Sequence, residues 1–192
     1  MPRITAPTLV EHRERQRAAL LDAVEEIVIE TGSTRVMVSD VAARAGLARS
    51  SVYEYFGSPS ALLAAAVVDR MQRWSTDVAA HVNPAGAPAE RIEMFIRASL
   101  ELAAKGAHRL GRVVRFSEMP PECSEAVFGM YREMTAPLTL ALTDARIAEP
   151  SRAADLILGV IQSATTRIDQ GASRGSETDA AIAFVMRALD LD

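Results

Sequence analysis

From Glu11 onward, apolar side chains return at intervals of three and four residues, and no stretch sustains the alternation of a half-buried strand. That periodicity confines the chain to an all-α fold of about nine helices. With 49% of its 192 residues hydrophobic, the chain can bury a substantial core in one or two compact domains, which excludes intrinsic disorder. The longest unbroken apolar run, Ala61–Val68, falls well short of the roughly 20 residues that a membrane-spanning helix requires. Met1–Val10 lacks the apolar centre of a signal peptide, so a cytoplasmic location with no membrane partner is expected.

Punctuation divides the periodic pattern. Leu20, Ala23, Val24, Ile27 and Val28 make Arg13–Thr31 an amphipathic first helix that stops at Gly32. Ser58 is placed to cap a fourth helix whose first residue is Pro59, where a missing amide hydrogen costs little. This helix is expected to run to about His81, where the Pro- and Gly-containing stretch after Asn83 breaks the pattern. Further helices are expected at Ala89–Ala104, His108–Ser117, Ser124–Asp144, Ser151–Asp169 and Glu177–Leu189.

Several function classes fall away. A net charge of −4 argues against indiscriminate binding to polyanions over the whole surface, although a local basic face remains compatible with it. Cys123 is the only cysteine, so no intramolecular disulfide can form, and no His/Cys cluster has metal-ligand spacing. No HExxH, GxSxG or P-loop is present, nor any paired His and carboxylate spacing. The expectation is a protein that is not an enzyme and carries no cofactor or metal.

Between Val38 and Phe56, the apolar residues Val41, Ala45, Leu47 and Val52 have the spacing of two short helices packed across a tight turn. Ala42 permits close approach, and Gly46 can supply the positive φ that such a turn requires. The segment Val38-Ser-Asp-Val-Ala-Ala-Arg-Ala-Gly-Leu-Ala-Arg-Ser-Ser-Val-Tyr-Glu-Tyr-Phe56, followed by Gly57-Ser-Pro-Ser-Ala-Leu-Leu63, closely resembles the DNA-binding domain of the TetR family of transcriptional regulators. The resemblance covers about Arg13–Leu63. Beyond that stretch only helical layout and length are similar.

The resemblance implies a DNA-binding domain at residues 1–57, a helical effector-binding and dimerisation domain at 58–192, and a homodimer that inserts its third helices into successive major grooves. Arg49, Ser50, Ser51 and Tyr53 then face the DNA, with Tyr55, Ser39 and Arg44 completing the set. Arg49 can serve either guanine or phosphate, and the serines either base edges or backbone. For Tyr53 and Tyr55, aromatic packing is the competing account. Met37, Ala48 and Pro59 depart from the family's usual Thr, Ser or Thr, and Lys, which removes polar groups near phosphate. An arm bearing Arg3, Arg13, Arg15 and Arg17 is a candidate to restore that affinity; a solvated helix face interleaved with Glu11 and Glu14 is the alternative.

Met94, Phe95, Phe116, Met119, Phe128, Met130, Tyr131 and Met134 concentrate flexible apolar and aromatic side chains in the second domain. Ordinary packing accounts for each, but the resemblance supplies a reason for an effector cavity, which methionine's adaptable shape suits. Trp74, Arg112 and Thr165 join this ligand-binding set. Leu156, Gly159, Val160 and Ser163 form one stripe and Ile182, Val185, Met186 and Leu189 another, a pairing suited to a two-fold four-helix interface. The expected function is a ligand-responsive, sequence-specific regulator, most simply a repressor released from a palindromic operator by a small molecule. A helical protein-binding adaptor and a small-molecule-binding enzyme without DNA binding are the competing classes.

Overall fold

The computed structural model describes residues 9–114 and 121–191. Among these, nine α-helices account for the regular structure and no strand occurs: α1 (Leu9–Thr31), α2 (Val38–Arg44), α3 (Arg49–Phe56), α4 (Pro59–Ala79), α5 (Pro88–Ala104), α6 (Arg109–Val113), α7 (Pro121–Asp144), α8 (Pro150–Asp169) and α9 (Arg174–Leu189). None of these helices is long and apolar enough to cross a membrane.

Four helices begin on a proline: Pro59, Pro88, Pro121 and Pro150. In the sequence the last three read only as breaks between helices. In the first turn of a helix an amide has no intrahelical acceptor, so proline loses nothing there and its fixed φ favours initiation. At α4 the cap is complete, because Ser58 Oγ accepts a hydrogen bond from the Ala61 amide at 3.1 Å. At the other end of α1, Gly32 takes φ +62° and its amide reaches back to the Val28 carbonyl, closing the helix where expected.

The chain divides into two compact units. One comprises residues 1–70 and 109–127, the other residues 71–108 and 128–192. This differs from a boundary at Gly57 and Ser58, for a physical reason. Leu62, Ala66 and Val67 of α4 are buried in the first unit, where Arg70 also pairs with Glu25 of α1 at 3.9 Å. Helix α6 packs on α1 and buries Leu110 there.

The core of the first unit rests on Leu20, Leu21, Val24 and Val28 of α1, met by Val41 and Ala42 of α2 and Val52 of α3. In the second unit α5, α8 and α9 pack pairwise around Ile92, Phe95, Ile96, Ile157 and Val185, with Leu138 and Leu142 of α7 in the same core. Trp74 meets Phe95 edge-on, with ring centroids 5.6 Å apart. Arg91, almost wholly buried, is neutralised by Asp144. His108, expected to open a helix, places Nε2 2.8 Å from Asp169 Oδ2 at the end of α8. The helix starts one residue later, at Arg109.

Candidate nucleic-acid interface

Helices α2 and α3 are joined by Ala45-Gly46-Leu47-Ala48. Gly46 adopts φ +68°, and the Leu47 amide donates to the Ala42 carbonyl at 2.8 Å, so the backbone reverses within four residues. A residue with a Cβ at this φ would be strained whatever the surrounding space. The turn sets the rotation of α3 through one anchor. Val52, at 2% exposure, is the buried residue of that helix, and it leaves Arg49, Ser50, Tyr53 and Glu54 exposed along the opposite face. Ser51 is half-buried.

On the exposed face Arg49 and Tyr53 associate. An Arg49 amine lies 3.5 Å from the Tyr53 hydroxyl, and the guanidinium stands 5.9 Å from the ring centroid. The hydrogen bond and the attraction to Tyr53 hold the guanidinium's proton more tightly still, so Arg49 stays cationic at every physiological pH. Nothing encloses it. A cation, hydroxyls and a phenol on one accessible helix face are the group types that pair with phosphate oxygens and with base edges in a major groove.

The remaining expected DNA contacts are less free. Tyr55 is half-buried, and its hydroxyl donates to Gln16 Oε1 of α1 at 2.9 Å, while Arg13 stacks over its ring at 5.6 Å. Arg44 pairs with Glu30 at 2.8 Å and with Glu26 at 3.6 Å, so it ties α2 to α1. Ser39 is exposed and turns its hydroxyl to the neighbouring Asp40 at 3.2 Å. Met37 and Ala48 sit at the caps of α2 and α3 in extended conformation, and neither supplies a side-chain hydrogen bond. Both helices therefore start without the polar cap that Ser or Thr would provide.

In sequence Arg13, Arg15 and Arg17 form one group, and the structure separates them. Arg17 stacks over Phe56 at 5.6 Å, as Arg13 does over Tyr55, whereas Arg15 donates to the Glu11 carbonyl of its own helix. The four-residue interval between Arg13 and Arg17 is the local signal for this division. Which rings they meet depends on how α1 lies against α3, which the sequence alone does not display.

The members of the expected ligand-binding set differ in burial. Phe95 is fully buried against Trp74, and Thr165 is nearly so. Met94 and Met134 are half-buried, and Phe128 is 56% exposed. Tyr131 donates its hydroxyl to Asp155 at 3.3 Å, and burial, aided by that carboxylate, raises its pKa. Arg112 is exposed on α6 and belongs to the first unit. Arg3, Phe116 and Met119 lie outside the described residues, as does the side chain of Cys123.

In the proposed dimer stripes Leu156 is 68% exposed, and Gly159 and Ser163 are exposed beside it. Val160, Ile182, Met186 and Leu189 are half-buried against their own subunit's core. Val185 is sealed inside that core, which removes it from any partner-facing stripe. Phe184, one residue earlier and 60% exposed, is absent from the stripe read in the sequence.

Among the described residues the fold is all-α, and α2 and α3 form a helix-turn-helix at its amino-terminal side. Residues 20–66 match the family model described as bacterial regulatory proteins, tetR family. Over this segment the chain is similar to the TetR family. The HTH-type transcriptional regulator BetI of Rhizobium meliloti (strain 1021) is 32% identical over 84 residues, a stretch that covers 44% of this chain and 41% of that relative. The chain thus matches less than half the length of that protein. Over nearly the full length the fold is shared with FadR of Bacillus subtilis, solved in complex with stearoyl-CoA, at 20% identity and a TM-score of 0.74, covering 88% of this chain and 96% of that one. LfrR of Mycobacterium smegmatis, solved with proflavine, superposes at 19% identity with a TM-score of 0.63, covering 90% and 95%.

Proposed function

We propose that this protein is a ligand-responsive, sequence-specific DNA-binding transcriptional regulator. It acts as a homodimer on a palindromic operator and is most simply a repressor released by a small molecule. The observation that carries the reading is the orientation of α3. Val52 is buried, and Arg49, Ser50 and Tyr53 are presented to solvent within a segment that matches the TetR family. An adaptor that binds only protein gives no reason for that face, and the family is one of regulators rather than enzymes.

Ligand response is supported by the fold shared with FadR and LfrR, each solved with a small molecule bound. Helix α4 is a continuous element whose residues contribute to both units, so it is the natural route by which an effector acts on α3. An effector achieves this only if it binds one disposition of the two reading heads more tightly than the other. A cytoplasmic location follows from the need to reach chromosomal DNA. Genomic footprinting with the full-length protein tests the reading: discrete protected sites with two-fold symmetry are expected, and uniform protection at all sequences overturns it.

A further inference from the structure

Two kinds of arginine surround α3. Arg44 and Arg70 are neutralised by carboxylates of α1, namely Glu26 and Glu30 for the former and Glu25 for the latter. Arg13, Arg17 and Arg49 have no carboxylate within ion-pair distance among the described residues. Each rests instead on a different aromatic ring of α3: Arg13 on Tyr55, Arg17 on Phe56 and Arg49 on Tyr53.

Such stacking draws a guanidinium to the face of the ring and leaves its positive charge unneutralised. For Arg13 and Arg17 the placement is otherwise unfavourable. They are like charges four residues apart on one helix face. Their platform is nonetheless built firmly, because the Tyr55 hydroxyl is bonded to Gln16, on the same helix as the two arginines.

We infer that Arg13 and Arg17 form a phosphate clamp, which grips the DNA backbone beside the groove that α3 enters. Four helical residues advance about 6 Å. A nucleic-acid strand carries one charge per about 3.4 Å of helix axis, so neighbouring phosphates of one strand can serve both guanidiniums. The inference rests on the DNA-binding reading above and divides the labour within it. Arg49, Ser50 and Tyr53 meet the groove, Arg13 and Arg17 anchor the backbone, and Tyr55 and Phe56 are positioning residues that hold the anchors.

Duplexes enriched from a random-sequence pool by the full-length protein supply the probe, and affinity is measured against salt concentration. The Arg13→Gln/Arg17→Gln variant is expected to flatten the slope of log affinity against log salt by about 0.9 for each phosphate that is no longer neutralised, with the enriched sequence unchanged. Arg13→Lys/Arg17→Lys and Arg15→Gln are expected to keep the wild-type slope. The single Gln variants, each flattening the slope by about half as much, decide the matter if the double variant does not fold. An unchanged slope in the Gln variants overturns the clamp and leaves DNA binding standing. A lysine variant that falls as far as the Gln variant also overturns it, since charge would not be what the rings hold in place. A wild-type protein that enriches no duplex overturns the DNA-binding reading itself, and the clamp with it.

Discussion

The Tyr55 hydroxyl donates a 2.9 Å hydrogen bond to Gln16 Oε1, which joins the end of α3 to the first turns of α1 across 39 residues of sequence. The bond is partly buried, so its loss leaves an acceptor incompletely solvated. Tyr55→Phe is expected to lower stability by about 1 kcal/mol. A thermal-denaturation cycle that combines it with Gln16→Ala checks this, and additive effects of the two changes would show that the pair is not coupled.

Arg49 is exposed and makes its side-chain interactions with Tyr53 alone among the described residues, so Arg49→Ala is expected to leave the melting temperature unchanged. DNA binding is expected to weaken by about 1–3 kcal/mol, the range of one good base contact, with relaxed preference at one position of each half-site. Selection from a random duplex pool by variant and wild type reads out both effects. An unrelaxed preference with weaker binding would assign Arg49 to phosphate.

The missing caps are open to direct repair. Ala48 has the extended conformation of a cap residue and no side chain to use it, so Ala48→Ser is expected to raise stability by up to about 1 kcal/mol. Ser58→Ala, which removes the bond to the Ala61 amide, is expected to cost about the same. Urea denaturation of both variants compares them on one scale.

Tyr131 has a raised pKa, chiefly from burial and secondarily from Asp155. Because its folded value stands above its unfolded one, the stability it contributes is complete below the ordinary tyrosine range and is lost as pH rises through the folded value. Tyr131→Phe is therefore expected to flatten the alkaline decline of stability and to leave its behaviour near neutrality unaltered. Denaturation midpoints measured across the alkaline range test this, and parallel declines in variant and wild type would contradict it.

For the proposed dimer, the large exposed apolar residues of α8 and α9 are Leu156 and Phe184. Burying either against a partner contributes roughly 1.5–3 kcal/mol per side chain. Leu156→Arg and Phe184→Glu are each expected to shift sedimentation from dimer to monomer. Val185→Ala is instead expected to destabilise the fold, because that residue faces its own core.

The helices and the turn between α2 and α3 were legible because their signals are local. Leu20 to Val28 display the 3.6-residue period, Gly46 marks a turn that needs positive φ, and Ser58 with Pro59 announces a capped start. The starts at Pro88, Pro121 and Pro150 shift by one to three residues, since a proline that ends one helix and a proline that begins the next look alike in sequence. Val185 and Phe184 exchange places for a similar reason: adjacent positions differ by about 100° around a helix, and an apolar stripe does not say which edge of it meets the subunit's own core. The pairing of Arg44 with Glu30, and of Arg13 with Tyr55, joins residues distant in the chain, and local patterns carry no trace of such partnerships.

The contrast between the chain's total charge of −4 and the unneutralised guanidiniums around α3 bears on how any polyanion can approach. At low ionic strength the net charge opposes that approach. Within a Debye length, about 8 Å at physiological ionic strength, local charges such as Arg13, Arg17 and Arg49 count more than the total. The orientation of a collision therefore matters more to such an approach than the sum of charges does.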